Sequence, residues 1–246
     1  MSREMQVVLS LMPGIDLLGM AFKAEGFCVV QGGDVIFGGD VRTEHYPAGK
    51  FDGLISGPPC QTWSPLANLC RARGIAVAPD LIPEFQRCVA EADPQWFLME
   101  NVPRAPQPVV PGFGVHSFVL DNRQCVEADG KPATQRRLRR WSFGWQGGRK
   151  VLGIDTVAIG NPHITPTVTA NGTKWETRKN RKGQPKSYRS QGDFRVYCKQ
   201  QGLPDDFDLP LFTVAGKVKA VGNGVPIAMG RAMAAAVKET LEGVEA

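Results

Sequence analysis

Residues 57–64, with the sequence GPPCQTWS, present a cysteine thiol in a setting that is unusual for packing. Two prolines stiffen the chain just before Cys60. A cysteine that serves only packing usually lies inside an apolar run, as a small hydrophobe. Cys60 instead follows the apolar run 51–56 and is flanked by Pro59 and Gln61. The sequence therefore makes Cys60 a candidate nucleophile for covalent catalysis.

Two further segments carry residue types that can act together with a thiol. Glu100 ends the apolar run 96–99, where a carboxyl group is costly unless it is paired or functional. Arg137 and Arg139 are two residues apart, so both side chains point to one face if residues 135–140 form a strand. Taken singly, each has an ordinary explanation: an inert thiol, a salt-bridged carboxylate or a solvated arginine pair.

The elements that must position these residues alternate between strand and helix. Strands are predicted at residues 6–11, 27–31, 51–56 and 96–99, and helices at residues 15–25, 80–91 and 227–241. This alternation favours an α/β fold with a doubly wound, mostly parallel sheet that is covered on both faces. In such sheets ligands bind beyond the carboxyl ends of the strands.

The ends of the first two predicted strands carry residues that suit a cofactor. Gly14 lies in a turn that leads into a helix, where a ligand can approach the backbone closely. Asp34 and Asp40 follow the second strand, and carboxylates there can bind ribose hydroxyls or an adenine amino group. A turn-forming role is the alternative for each residue alone.

Composition excludes several classes of protein. The chain has 246 residues, 42% hydrophobic and 22% charged, which is typical of globular proteins. No run approaches the ~18 apolar residues that a membrane span needs, and the first residues do not resemble a signal peptide. The six cysteines form no CxxC pair, so we expect reduced thiols and no metal site.

Charge is distributed unevenly along the chain. Residues 131–199 contain 16 Lys and Arg against 3 Asp and Glu, whereas the remainder contains 13 against 21, for a net charge of +5. A basic block on an acidic body indicates a polyanionic partner such as nucleic acid. A solvated basic face is the alternative interpretation.

In their order along the chain, these motifs resemble the DNA (cytosine-5)-methyltransferases. The resemblance rests on residues 57–64, on Glu100-Asn101-Val102, on the pattern Gln135-x-Arg137-x-Arg139, on residues 201–205 and on Gly222-Asn223-x-Val225-Pro226. It implies a Rossmann-like fold and methyl transfer from S-adenosylmethionine to carbon 5 of cytosine in DNA, on a flipped-out base.

The resemblance also assigns roles to individual residues. It implies that Cys60 attacks carbon 6 of the cytosine and that Glu100, protonated, holds nitrogen 3 and the exocyclic amine. It implies that Arg139, with Arg137 as a second candidate, binds the base oxygen. The cofactor residues that it implies are Met12, Gly14, Asp34, Asp40, Pro58, Asn223 and Val225. Met12 and Asp16 depart from the family pattern, which has an aromatic residue and a second glycine there.

The resemblance divides the chain into three parts. Residues 1–146 are predicted to form the catalytic and cofactor domain, residues 147–205 a small target-recognition region, and residues 206–246 a segment that returns to the catalytic domain. A short recognition site is expected from so small a region. The predicted DNA contacts are Gln61, Ser64, Lys174, Arg178, Lys179, Arg181, Lys182, Lys186 and Arg189.

Two alternatives stay open at this point. One is an RNA cytosine methyltransferase, although the Thr-Cys pair common in such enzymes is absent near Glu100. The other is a DNA-binding or regulatory protein that has lost catalysis. We further expect a monomer that uses no metal, does not bind membranes and works in the cytoplasm of a bacterial cell, as a bacterial or phage enzyme.

Overall fold

The computed structural model describes residues 5–159, 164–165, 167–169 and 191–243. The strands are β1 (Val7–Leu11), β2 (Cys28–Gln31), β3 (Gly53–Ser56), β4 (Trp96–Asn101), β5 (Phe113–Asp121) and β6 (Leu138–Gln146). The helices are α1 (Leu17–Ala24), α2 (Pro65–Ala72), α3 (Ile82–Ala92), α4 (Gln191–Gln200), α5 (Val214–Asn223) and α6 (Ile227–Glu242). None of the helices in this part of the chain has the length and apolar character that a bilayer span requires.

The strands form one sheet in the order β2-β1-β3-β4-β6-β5. Strand β1 pairs in parallel with β2 and β3, and β3 pairs in parallel with β4. Strand β6 runs antiparallel to both of its neighbours, β4 and β5. The predicted doubly wound, mostly parallel sheet is confirmed, with β6 as the reversed strand among the described ones.

Both faces of the sheet are covered because successive side chains of a strand point to opposite faces. The central strands β1, β3 and β4 are therefore apolar over most of their length, and their polar residues lie at or near their carboxyl ends. One face packs on α1 and α6, and its strand residues are Val8, Ile55, Trp96, Leu98, Trp141 and Phe143. The other face packs on α3, and its strand residues are Leu9, Leu11, Leu54, Phe97 and Met99.

Helix α6 packs closely on α1 at a glycine. A Cβ atom at Gly230 would lie 2.7 Å from the Cβ of Ala21, so a larger residue there would push the two helices apart. Helices α4 and α5 form a third apolar cluster that includes Leu17 of α1, Phe194 of α4 and Val218 of α5. This cluster joins α4 and α5 to the start of α1.

Two local predictions need correction. Strand β6 begins at Leu138, so Arg137 precedes the strand and does not share a strand face with Arg139. Residues 214–223 form helix α5, which the sequence analysis did not predict because their glycine and lysine content obscures the apolar periodicity. The boundaries proposed for the three regions, 1–146, 147–205 and 206–246, remain predictions.

Candidate active site

The candidate nucleophile and the candidate acid lie at the carboxyl ends of two adjacent strands, Cys60 in the loop after β3 and Glu100 near the end of β4. Strands β3 and β4 are parallel, and Ser56 is in register with Met99, so Gly57 and Glu100 emerge at the same edge of the sheet. A Cβ atom at Gly57 would lie 3.4 Å from Oε2 of Glu100, which shows how closely the Cys60 loop passes this carboxyl group.

Glu100 is paired with Arg139. The Arg139 Nε atom lies 2.6 Å from Glu100 Oε1, and the two side chains are only 14% and 10% exposed. The pairing follows from the antiparallel register of β4 and β6, which matches Glu100 with Trp141 and Asn101 with Arg140. A nearly buried carboxylate is tolerable here because a guanidinium neutralises it. This contact is an ion pair without hydrogen-bond geometry, so Oε1 of Glu100 is held by charge alone. Oε2 of Glu100 and Nη2 of Arg139 have no hydrogen-bond partner among the described residues.

The thiol of Cys60 is affected by the same charges. Burial raises the pKa of Cys60, and the Glu100 carboxylate raises it further. The positive charges of Arg139 and Arg137 act in the opposite direction and lower it. The structure thus brings Cys60, Glu100, Arg137 and Arg139 within electrostatic reach of one another.

Asn101 fixes the Cys60 loop to the end of β4. Its buried amide nitrogen donates to the carbonyl oxygen of Pro58 at 3.2 Å. Its amide oxygen accepts from the backbone N–H of Val102 at 2.8 Å. The sequence analysis included Asn101 in a motif but gave it no role; the available signal was an amide side chain directly after Glu100 at the end of an apolar run.

The far side of the Cys60 loop is also anchored. The 3-10 turn Gln61–Trp63 follows Cys60 directly. The Thr62 hydroxyl donates to the carbonyl oxygen of Ala78 at 2.5 Å, and the Trp63 indole donates to Asp80 at 3.3 Å. The predicted DNA contacts Gln61 and Ser64 lie in this loop, Gln61 exposed and Ser64 partly exposed.

The side chain of Arg137 binds backbone carbonyls and, unlike that of Arg139, does not pair with Glu100. It is 3% exposed, and its guanidinium donates to the carbonyl oxygens of Val168 at 2.6 Å, Gly222 at 3.4 Å and Gly224 at 3.0 Å. Burial and the nearby Arg139 lower the pKa of Arg137 to about 9. Arg137 therefore contributes positive charge near Cys60 while its head group holds backbone carbonyls.

Two glutamines extend the contacts of Arg137. Gln135 donates to the carbonyl of Gln200 at 2.7 Å and to the Gln201 side chain at 3.0 Å. Gln201 donates to the carbonyls of Val221 at 2.8 Å and Gly224 at 2.9 Å. This clamp, formed by Gln135, Arg137 and Gln201, holds the turn between α5 and α6. Gln201 was part of a quoted motif, but its role was not predicted because its partners are distant in sequence.

The turn between β1 and α1 adopts an unusual backbone. Met12, Gly14 and Asp16 all have positive φ angles, of 50°, 56° and 58°. Asp16 is buried and caps α1, accepting from Gly19 N–H at 3.0 Å and from the Ser10 hydroxyl at 2.7 Å. Its second oxygen accepts from the Gln31 side chain at 2.9 Å. Asp16 stands where the family pattern has a second glycine, and its carboxylate is satisfied by partners within the fold.

The predicted ribose and adenine residues are both engaged within the protein. Asp34 accepts from the N–H groups of Gly14 at 2.8 Å and Ile36 at 2.9 Å, one on each oxygen. Asp40 is paired with Arg42, whose Nη2 lies 2.6 Å from Oδ2, and this hydrogen bonding lowers the pKa of Asp40 to about 2.

The remaining predicted cofactor residues border the same edge or the last turn. Pro58 is the buried residue of the Cys60 loop, residues 57–64. Met12 is partly buried against the α3 side of the sheet. Val225 is buried in the core on the α6 side, whereas Asn223 is exposed at the end of α5. Of the predicted DNA contacts, Lys174, Arg178, Lys179, Arg181, Lys182, Lys186 and Arg189 lie outside the described residues.

Comparison with known proteins bears on this arrangement. Residues 35–109, which include Cys60 and Glu100, match the model of the family described as C-5 cytosine-specific DNA methylase. The chain is also 32% identical over 114 residues to the type II methyltransferase M.FnuDI of Fusobacterium nucleatum, a match that covers 39% of this chain. The resemblance to the DNA (cytosine-5)-methyltransferases is confirmed. The chain spans about a third of the length of that relative (32%).

Solved structures share the fold of this cytosine-5 methylase-like chain over nearly its whole length. The Entamoeba histolytica methyltransferase EhMeth superposes with a TM-score of 0.64 at 9% identity, covering 97% of this chain and 99% of that one. A putative DNA modification methyltransferase of an E. coli prophage superposes with a TM-score of 0.58 at 17% identity, covering 96% and 99%. The Rossmann-like methyltransferase fold is therefore confirmed.

The residues of this methylase-like chain fit S-adenosylmethionine. Gly14 leaves open space above the turn, since a Cβ atom there would meet only Ile36 Cδ1, at 3.9 Å. The turn leads into the N-terminus of α1, and carboxylates follow β2. These features suit an adenosine with a charged amino-acid tail. No group of His, Cys, Asp and Glu that could hold a metal occurs in the described part of the chain.

Proposed function

We propose that this protein transfers a methyl group from S-adenosylmethionine to carbon 5 of cytosine in DNA, through a covalent bond to Cys60. The observation that carries the proposal is the convergence of Cys60, Glu100 and Arg139 at the carboxyl ends of β3 and β4. These three residue types supply a nucleophile, a carboxyl group for the base and a cation for the charge that develops.

Cys60 acts first in this proposal. Its thiolate forms a bond to carbon 6 of the cytosine, and the electron pair of the 5,6 double bond moves toward carbon 5 and the ring. S-adenosylmethionine, when bound, would supply the methyl group to carbon 5 by breaking its sulfonium S–CH₃ bond, and would leave as S-adenosylhomocysteine. A base then removes the proton from carbon 5, and the returning electron pair expels the Cys60 thiolate, so that the thiol is regenerated.

Glu100 and Arg139 hold the ring during these steps. Glu100 Oε1 is occupied by Arg139, so Oε2, on the side of Gly57, faces nitrogen 3 and the exocyclic amine. Nη2 of Arg139 remains for the base oxygen. Arg137 supports the reaction from a distance, because its charge favours the Cys60 thiolate while its head group holds the turn at Gly222 and Gly224.

The substrate is proposed to be double-stranded DNA with one cytosine rotated out of the stack, because a thiol cannot reach carbon 6 within a duplex. The basic block at residues 131–199 is proposed to bind the phosphates around that base. The small size of the proposed recognition region, residues 147–205, favours a short recognition site. A monomeric enzyme in the cytoplasm of a bacterial cell, of phage or bacterial origin and with or without a partner restriction enzyme, is consistent with this proposal.

The test uses radiolabelled S-adenosylmethionine with unmethylated genomic DNA, comparing the wild type with Cys60→Ser and Cys70→Ser. Digestion to nucleosides should show label in 5-methylcytosine for the wild type and for Cys70→Ser, and none for Cys60→Ser. Cys70 is a matched control because it is also a free, partly exposed cysteine. Normal turnover by Cys60→Ser would refute the assignment of the nucleophile.

Parallel reactions with total RNA distinguish the alternatives. Label in RNA and not in DNA would show that RNA, and not DNA, is the substrate. Absence of label in both, together with retained DNA binding, would identify a protein that binds without catalysis.

A further inference from the structure

The end of strand β2 carries no side chain where a cofactor-binding acid is expected. Gly32 and Gly33 follow Gln31 directly, and Asp34 comes next. Each oxygen of the Asp34 carboxylate accepts one hydrogen bond from the backbone, one from Gly14 N–H and the other from Ile36 N–H. Asp34 thus connects the β1–α1 turn to the chain after β2.

The space beside Gly33 is filled from another part of the chain. A Cβ atom at Gly33 would overlap the carboxylate of Glu44, and one at Gly39 would lie 2.7 Å from Glu44 Oε1. The Glu44 carboxylate therefore lies where the side chain of residue 33 would begin. Eleven residues further along the sequence, Glu44 supplies an acid at the tip of β2.

This carboxylate is held by one oxygen only. Glu44 Oε2 accepts from Gly33 N–H at 2.7 Å and from the Tyr46 hydroxyl at 2.5 Å. Burial and this contact with Glu44 raise the pKa of Tyr46, so the hydroxyl stays a donor. Glu44 Oε1 has no hydrogen-bond partner among the described residues.

The glycines at the tip of β2 are required by this arrangement. A Cβ atom at Gly32 would lie 2.6 Å from the Tyr46 hydroxyl, so a side chain there would displace the residue that holds Glu44. Gly32 N–H donates to the Ser10 carbonyl at 2.8 Å, which places the tip of β2 beside the end of β1 and its turn. Glu44 Oε1 is therefore on the cofactor edge of the sheet.

We propose that Glu44, and not Asp34, accepts the hydrogen bonds of the ribose hydroxyls of S-adenosylmethionine. A carboxylate at the end of the second strand is the group that binds a ribose in Rossmann-like folds. Glu44 Oε1 accepts no hydrogen bond from the described residues, whereas each oxygen of Asp34 already accepts one from a backbone N–H. The inference rests on the proposed function and names the residue that recognises one part of the cofactor.

The test measures the dissociation constants of S-adenosylhomocysteine and of its 2′,3′-dideoxy analogue by titration calorimetry. The wild type should prefer the ribose ligand by about tenfold to a hundredfold, as expected for hydrogen bonds to a charged group. Glu44→Gln should reduce this preference about tenfold or to none, because its amide oxygen replaces Oε2 and the uncharged NH₂ group that faces the ligand cannot accept from the ribose hydroxyls. Asp34→Asn is the matched control; it should weaken both ligands alike and keep the wild-type preference.

Each outcome decides the question. A preference that is undiminished in Glu44→Gln, or that disappears in Asp34→Asn, overturns the assignment of Glu44 and leaves the proposed function standing. Failure of the wild type to bind S-adenosylhomocysteine contradicts the proposed function and this inference with it. Circular dichroism melting of each variant separates loss of the contact from loss of the fold, and Tyr46→Phe should reduce the preference without abolishing binding.

Discussion

Cys60 lies in surroundings that both oppose and favour its ionisation. Burial and Glu100 raise the pKa of the thiol, and Arg139 and Arg137 lower it. The ion pair of Arg139 with Glu100 therefore has two effects on Cys60, since it neutralises the carboxylate and contributes a positive charge. At the residue scale, the reactivity of the thiol depends on charges supplied by β4 and β6.

Arg139→Gln should shift the ionisation of Cys60 to higher pH. The substitution removes a positive charge and leaves Glu100 unpaired, and both changes disfavour the thiolate. Mass spectrometry of the Cys60 peptide measures the rate of iodoacetamide modification across pH 6–10. This rate should rise at a higher pH in the variant than in the wild type. Arg123→Gln, which breaks a pair with Asp121 away from Cys60, should leave the profile unchanged. A shift to lower pH in Arg139→Gln would contradict the electrostatic role of Arg139.

At the scale of elements, the Cys60 loop and the end of β4 act as one unit. Asn101 connects them through the Pro58 carbonyl, and the antiparallel pairing of β6 with β4 delivers Arg139 to the carboxyl end of β4. A parallel strand at this place would present its arginines at the opposite end. The reversal of β6 is thus a condition for the charge arrangement around Cys60.

Asn101→Ala should destabilise the protein more than Asn122→Ala. Both asparagines are fully buried, but Asn101 makes two hydrogen bonds, whereas the side-chain atoms of Asn122 have no partner in the described structure. Asn101→Ala leaves the Pro58 carbonyl and the Val102 N–H unsatisfied, at a cost of about 1–3 kcal/mol. Urea unfolding of both variants measures the difference. Equal losses of unfolding free energy would mean that the Pro58 contact contributes nothing.

For the whole molecule, charge is separated between a basic block and an acidic remainder. Residues 131–199 carry the excess of Lys and Arg, and such a block favours the binding of a polyanion. The clamp of Gln135, Arg137 and Gln201 connects the basic block to the rest of the chain. It joins Val168, which lies in the block, to the turn at Gly222 and Gly224, which lies outside it.

Replacing Lys174, Lys179, Lys182 and Lys186 with Gln should weaken DNA binding and reduce its dependence on salt. The slope of log K against log salt should decrease by about 0.9 for each phosphate contact that is lost. Fluorescence anisotropy between 50 and 300 mM NaCl measures this slope. The exposed Lys50 and Lys219, which lie outside the basic block, serve as controls when changed to Gln. An unchanged slope in the fourfold variant would place the DNA elsewhere on the surface.

The order of apolar runs and turns in the sequence was sufficient to predict the fold class and the positions of most strands. Local patterns determine these features, since a buried strand needs continuous apolar residues and Gly26, with a φ angle of 95°, ends α1 as its position predicts. The order of the motifs was likewise enough for the family resemblance, because Cys60 lies just beyond the predicted strand at residues 51–56 and Glu100 just beyond the one at residues 96–99.

Only the tertiary structure decided how the charged side chains are partnered. Arg137 and Arg139 look equivalent in sequence, yet one holds carbonyls of residues 168, 222 and 224 and the other pairs with Glu100. Asp16 and Asp34 are occupied by nearby backbone groups, while Glu44 reaches the tip of β2. The partner of a buried charge depends on which distant segments pack against it, and the residues' spacing along the chain does not contain that information.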